Sequence, residues 1–165
     1  MQSPKRKPGK YTDTKDDPYI TQEKYNKLKS SLKRLLEVER PPAIKDVKEQ
    51  AAFGDFSENA AYSIAKGKLR SINNRITKIE NFLKKAIIIQ KSSSNEVQLG
   101  SIITIENDNE EKTYQILGSA EVNVTKGVIS HNSPIGSALI GKKEGDNVEI
   151  ALKDKSIKYK IIKIQ

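Results

Sequence analysis

The sequence has no cysteine and a single histidine, His131, among 165 residues. The first absence excludes a disulfide framework and every thiolate metal site, zinc fingers included. The second excludes an imidazole-rich zinc site and a Ser-His-Asp triad with a histidine to spare. No stretch approaches the roughly eighteen apolar residues of a membrane span. The opening run MQSPKRKPGKYTDTKDDP lacks the apolar centre of a signal peptide, so a cytoplasmic protein is expected.

What is present is polar but globular, with 35% hydrophobic and 31% charged residues. This balance suits an elongated molecule with much surface better than a compact enzyme with a deep pocket. The chain can form two small domains, and its character changes near residues 90–98. Charge follows the same division. Residues 19–91 hold 16 basic and 8 acidic side chains, a net +8 out of the total +9, whereas residues 92–165 carry 9 basic and 10 acidic ones. Such an excess on one extended element reads either as a footprint for a polyanion, nucleic acid above all, or as the solvated face of a lysine-rich protein.

Residues 1–18 contain three prolines and almost no apolar side chains, and so are expected to form a flexible charged tail. An antiparallel coiled-coil hairpin is expected over residues 19–90. Thr21 suits a helix N-cap, with Glu23 in the first turn where the helix dipole favours a negative charge. Tyr25, Leu28, Leu32 and Leu35 then recur at helical spacing. The apolar series moves to Leu36, Ala43, Val47 and Ala51, with Pro41-Pro42 at the change, where a kink is expected. Tyr62, Ala65, Leu69, Ile72, Ile76, Ile79 and Leu83 form a heptad seam that needs a partner helix. The short connection through Phe53, Gly54 and Asp55 makes residues 21–52 that partner and forces the arms antiparallel. About thirty residues per arm give a rod of roughly 45 Å with the turn at its far end.

Residues 91–98, beginning with KSSSNE, read as a polar linker, and residues 99–165 as a second domain. There the period becomes that of strands. SIITIE (101–106) and KTYQILG (112–118) flank a turn-forming stretch, and GVISH (127–131), NVEIAL (147–152) and SIKYKIIKI (156–164) follow. SPIGSALIG (133–141) reads as one short helix with Ser133 as N-cap, Pro134 at the first helical position and Gly141 closing it. The expected fold class is therefore α+β: a helical hairpin followed by a twisted antiparallel β-sheet packed on one small helix.

At the hairpin turn stand Gly54-Asp55-Phe56-Ser57-Glu58-Asn59. Asp55 and Glu58, three apart at a helix start, can share a face and offer oxygen ligands suited to magnesium. Asp-x-x-Glu at the same place is equally a capping box, with Asp55 accepting from backbone N–H groups and Glu58 reaching back. The motif alone does not separate the two.

Beyond the motif itself, GDFSENAAY (54–62) resembles the tip of the GreA/GreB family of transcript-cleavage factors. NSPIGSALIGKKEGD (132–146) is similar to that family's carboxy-terminal signature, and YITQEKYNKLKSSLKRL (19–35) to its opening, so the resemblance spans roughly residues 19–165. It implies that the carboxy-terminal domain is FKBP-like and docks at the rim of the RNA polymerase secondary channel, with Asn132, Ser133 and Pro134 in the docking loop. The coiled coil would pass down the channel. Asp55 and Glu58 would then act as the catalytic pair beside a backtracked transcript, helping to hold a second, weakly bound magnesium ion of the polymerase. The resemblance further implies a basic patch touching the extruded RNA 3′ end, for which Lys66, Lys68 and Arg70 are the candidates, solvated coiled-coil flanks being the other explanation. It implies a monomer with no stably bound cofactor and no active site of its own.

Departures from the family pattern are Ala61 where an acidic residue is usual, Gly67 inside the second helix, and the tail before Tyr19. Tyr62 is explained by the seam and His131 by a polar surface role. Three rivals remain: a channel-blocking inhibitor, a prolyl isomerase or chaperone module, and a duplex-DNA binder. The second is weakened by a carboxy-terminal half whose aromatics are Tyr114 and Tyr159 alone. The third lacks a recognition helix with base-reading side chains.

Overall fold

The computed structural model describes residues 17–53, 59–90, 95–108, 110–152 and 155–165. Strand β1 (Tyr19–Ile20) leads into helix α1 (Gln22–Arg34), a π-helical segment (Leu35–Glu39) and helix α2 (Arg40–Ala51); helix α3 (Ala60–Lys85) returns alongside and ends in strand β2 (Ile87–Ile88). Thr21 caps α1 as expected, its hydroxyl accepting from the Lys24 N–H at 3.2 Å, and Glu23 pairs with Lys27 one turn on.

The heptad seam is buried where its spacing says it should be. Ile72 and Ile76 of α3 meet Leu35 and Ala43 of the first arm, with Leu32, Leu36, Leu69 and Ile79 packed around them. The change of phase noticed at Leu35–Leu36 has a structural cause. The Arg40 N–H bonds back to the Leu35 carbonyl, five residues earlier, so one residue is inserted into the helical repeat and the apolar face resumes at Ala43. The expected break thus takes the form of a π segment, and the proline pair sits in the first turn of α2, where a missing N–H is tolerated. Glu39, in the π segment, forms an ion pair with Arg34 at 3.1 Å and accepts from Arg75 on the opposite arm at 3.4 Å.

The second domain is a five-stranded sheet in the order β5-β4-β3-β7-β6. Its strands are β3 (Ile102–Asn107), β4 (Glu110–Leu117), β5 (Val128–Ser130), β6 (Asn147–Leu152) and β7 (Lys155–Ile164). Four of the strands pair antiparallel; β5 joins β4 in parallel, so the sheet is mixed and not wholly antiparallel. The parallel pair follows from the long return between them, which runs through 3-10 turns at Ser119–Glu121 and Val124–Lys126. Opposite Thr104–Ile105 the register of β7 slips by one residue at a bulge. That bulge lets Ile161 and Ile164, three apart, both face inward.

Helix α4 (Pro134–Leu139) covers the sheet, capped as expected by Ser133, whose hydroxyl accepts from the Gly136 N–H at 3.0 Å. Ile103, Ile105, Ile116, Leu139, Val148, Ile150 and Ile161 form the core. Val97 belongs to it as well and is fully buried, so the polar linker expected over residues 91–98 is already part of the second domain by that point. Asp17 and Pro18, grouped with the tail on composition, are likewise bonded into the fold: the Pro18 carbonyl accepts from the Ile87 N–H at 2.8 Å. The rest of the tail lies outside the described residues.

Two elements have no counterpart in the sequence reading. Strands β1 and β2 form a parallel pair, Tyr19 opposite Ile87 and Ile20 opposite Ile88, which closes the base of the hairpin. Ile20 is completely buried there.

Candidate nucleic-acid interface

At the far end of the hairpin α2 finishes at Ala51 and α3 begins at Ala60. Asn59 holds the two arm ends together. Its side-chain oxygen accepts from the Tyr62 N–H at 2.9 Å, capping α3, while its amide donates to the Gln50 carbonyl at 3.1 Å. The cap of α3 is therefore Asn59, where the capping-box reading would have used Asp55 and Glu58. Those two residues lie outside the described residues, in the stretch 54–58 that connects the arms. Phe53, the last residue described before it, is 77% exposed.

Just behind this end, Lys66, Lys68 and Arg70 are all exposed on α3. Helical geometry sets Lys66 and Arg70 on one flank of the seam and Lys68 on the other. The Lys66 ammonium lies 5.6 Å from the centre of the Tyr62 ring, a cation–π arrangement that leaves its hydrogen-bond donors free to turn outward. Among the described residues none of the three forms an ion pair, whereas Arg75, farther along the same helix, is engaged by Glu39. Ala61 is exposed in the first turn of α3, which carries no acidic residue.

In the second domain, residues 130–136 form a tight corner. The Ser133 hydroxyl donates to the Ser130 carbonyl at 2.6 Å as well as capping α4, so it is committed to the corner itself. Gly136 is required there, because a Cβ would lie 2.1 Å from the Ser130 carbonyl oxygen. Asn132 and Pro134 project from this corner and are exposed. Of the three docking candidates these two present surface, and Ser133 supports them.

His131 departs from the expected solitary surface residue. Its side chain is only 20% exposed, its ring meets Tyr19 edge-on at 5.6 Å, and Nδ1 stands 3.5 Å from Asp17 Oδ2. Asp17 in turn accepts from the Ser119 N–H at 2.6 Å, the Ser119 hydroxyl at 2.7 Å and the Tyr19 N–H at 3.2 Å. Burial alone would raise the Asp17 pKa; these donors and the neighbouring imidazole outweigh it and hold the carboxyl below its ordinary value. Sequence reasoning missed this cluster, whose members lie about a hundred residues apart and carry no shared motif.

The geometry is that of a paired-helix rod on a corner-bearing sheet domain, and comparison with known families covers both parts. The amino-terminal domain of transcription elongation factors matches residues 18–88, and the GreA/GreB carboxy-terminal domain matches residues 91–165. The chain belongs to the GreA/GreB family of transcription elongation factors. It is 42% identical over 143 residues to transcription elongation factor GreA of Mycoplasmopsis pulmonis, covering 86% of this chain and 91% of that one. It is 42% identical over 149 residues to GreA of Macrococcus caseolyticus, with 88% and 94% covered. Among solved structures, GreA factor homolog 1 of Thermus thermophilus is 28% identical, with 86% of this chain and 94% of that one covered and a TM-score of 0.40. The GreA/GreB assignment accounts for both halves of the chain and for their order. Among the described residues no helix is long and apolar enough to cross a membrane.

Proposed function

We propose that this GreA/GreB-family factor enters the secondary channel of RNA polymerase with its hairpin end leading and stimulates cleavage of backtracked RNA by the polymerase. Asn132 and Pro134 dock at the channel rim, and the rod carries residues 54–58 inward. The observation that carries this reading is the Asn59 cap: the N-cap position of α3 belongs to Asn59, so Asp55 is not needed there.

A pair of carboxylates is a donor set that suits magnesium but fills only part of its shell, so the polymerase supplies the remaining ligands and the ion itself. The metal, when bound, provides Lewis-acid stabilisation of charge on the RNA phosphate and an activated water. Asp55 and Glu58 contribute negative charge beside it, and the factor has no separate active site. Lys66, Lys68 and Arg70 attract the extruded RNA 3′ end and hold its phosphates by charge, without reading sequence. The protein works as a monomer, since one rod fills one channel.

The deciding experiment is a halted, backtracked elongation complex with labelled RNA, incubated with the parent chain and with Asp55→Asn and Glu58→Gln. Each variant should melt as the parent does and lose cleavage stimulation by about 10²-fold, the scale of several kcal/mol of charge stabilisation. Full activity in both variants would remove the carboxylates from the mechanism. Suppression of cleavage by the parent chain would make it an inhibitor of the polymerase instead.

A further inference from the structure

The rod and the sheet domain are held by two carboxylates reaching in opposite directions. Asp17, at the rod's base and 5% exposed, crosses to the N–H and hydroxyl of Ser119 in the sheet domain. Glu121, in the sheet domain, crosses back to Thr21 and accepts from its N–H at 2.6 Å and its hydroxyl at 2.7 Å. Charge-assisted bonds this short are the strong, directional kind. Between them Tyr19 lies so close to Gly118 that a Cβ at Gly118 would stand 1.8 Å from the Tyr19 carbonyl oxygen. Ala120, in the same turn as Glu121, borders a shallow groove with Leu28 of α1 and Phe82 of α3.

Thr21 is also the N-cap of α1, so Glu121 grips the residue that sets where the helix axis starts, at the end of the dipole that favours a negative charge. The Asp17 side of the clasp runs straight to the docking corner: Asp17 Oδ2 is 3.5 Å from Asn132 Nδ2, and the Ser119 hydroxyl is 2.9 Å from that of Ser130.

From this geometry we infer that Asp17 and Glu121 are positioning residues, whose reciprocal clasp fixes the angle at which the rod leaves the docking corner. The inference rests on the function proposed above. Its physical basis is leverage. A swing of about 10° at the base moves the far end of a helix of roughly 40 Å, the length of α3, by roughly 7 Å. Misplacement of reacting groups by about 1 Å already costs on the order of 10²-fold in rate. A factor docked at the rim therefore reaches the catalytic centre productively only if the joint is stiff.

The absence of cysteine allows a direct test in the full-length chain. Ser71→Cys on α3 and Ser137→Cys on α4, both exposed, give one spin-label pair spanning the joint. Glu121→Ala should broaden the distance distribution, with Glu121→Gln, which keeps one acceptor, in between. On backtracked complexes at saturating factor, Glu121→Ala should lower the maximal cleavage rate about tenfold, since the end is misplaced while docking surfaces are intact. The half-saturating concentration should stay where it is in the parent. An unchanged distance distribution would overturn the inference, as would an unchanged maximal rate, or a defect confined to the half-saturating concentration. Melting curves identify a variant that fails to fold, and Glu121→Gln then carries both measurements. Should the parent chain itself leave RNA uncut, the functional reading falls, while the distance measurement still decides whether the clasp stiffens the joint.

Discussion

A single carboxylate shows how much one residue can hold in this protein. Asp17 has a depressed pKa in the folded state, so folding favours its charged form. Its contribution to stability is complete above the ordinary value of 3.8 and is lost as pH falls through the depressed value. Asp17→Asn should therefore lower the melting temperature at neutral pH, and the gap between variant and parent should close below about pH 4. Thermal melts over that range test it; a gap independent of pH would assign the loss to packing. Asn59 makes a complementary point. One short amide both caps α3 and ties it to Gln50, so a residue inside a recognised motif carries the local structure at the arm ends.

Helix α3, the longest element, follows its sequence period. The seam from Tyr62 to Leu83 is buried at Ala65, Ile72 and Ile76 and half-buried at its other positions, whereas Ile64, off the seam, is 72% exposed. The π segment was visible only as a phase change in the apolar series, because the hydrogen-bond pattern that creates it leaves no residue type of its own. Gly67 offers a test of the rod as an element. It sits in α3 with nothing within 4 Å of where a Cβ would be, so Gly67→Ala meets no clash. The substitution should stabilise the helix by about 1 kcal/mol. A higher melting temperature and slower amide exchange in the middle of α3 would verify this, and no change would mean that the glycine lies in a segment already frayed.

Charge acts over the whole molecule. The net +9 belongs almost entirely to the rod, and Lys66, Lys68 and Arg70, near the hairpin end, form no ion pair among the described residues. Replacing all three with glutamine should weaken cleavage of deeply backtracked RNA most. It should also reduce the slope of log affinity against log salt by about 2, as expected for the loss of three single-strand phosphate contacts. Titrations of the factor at several salt concentrations measure both, and an unaltered slope would return these residues to solvated flanks.

By itself the sequence determined the two-domain α+β plan, the antiparallel arms, the cap of α1, the short helix behind Ser133 and the acidic pair as candidates. Each of these rests on neighbours within a few residues or on a sustained period, which is information the chain carries locally. Only the tertiary structure decided what joins distant segments: β1 against β2, β5 parallel to β4, Val97 in the core, and Asp17, Tyr19 and His131 gathered beside Ser119. Those contacts span tens to about a hundred residues and depend on which surfaces meet once both domains have formed, a matter of packing geometry that no spacing rule along the chain encodes.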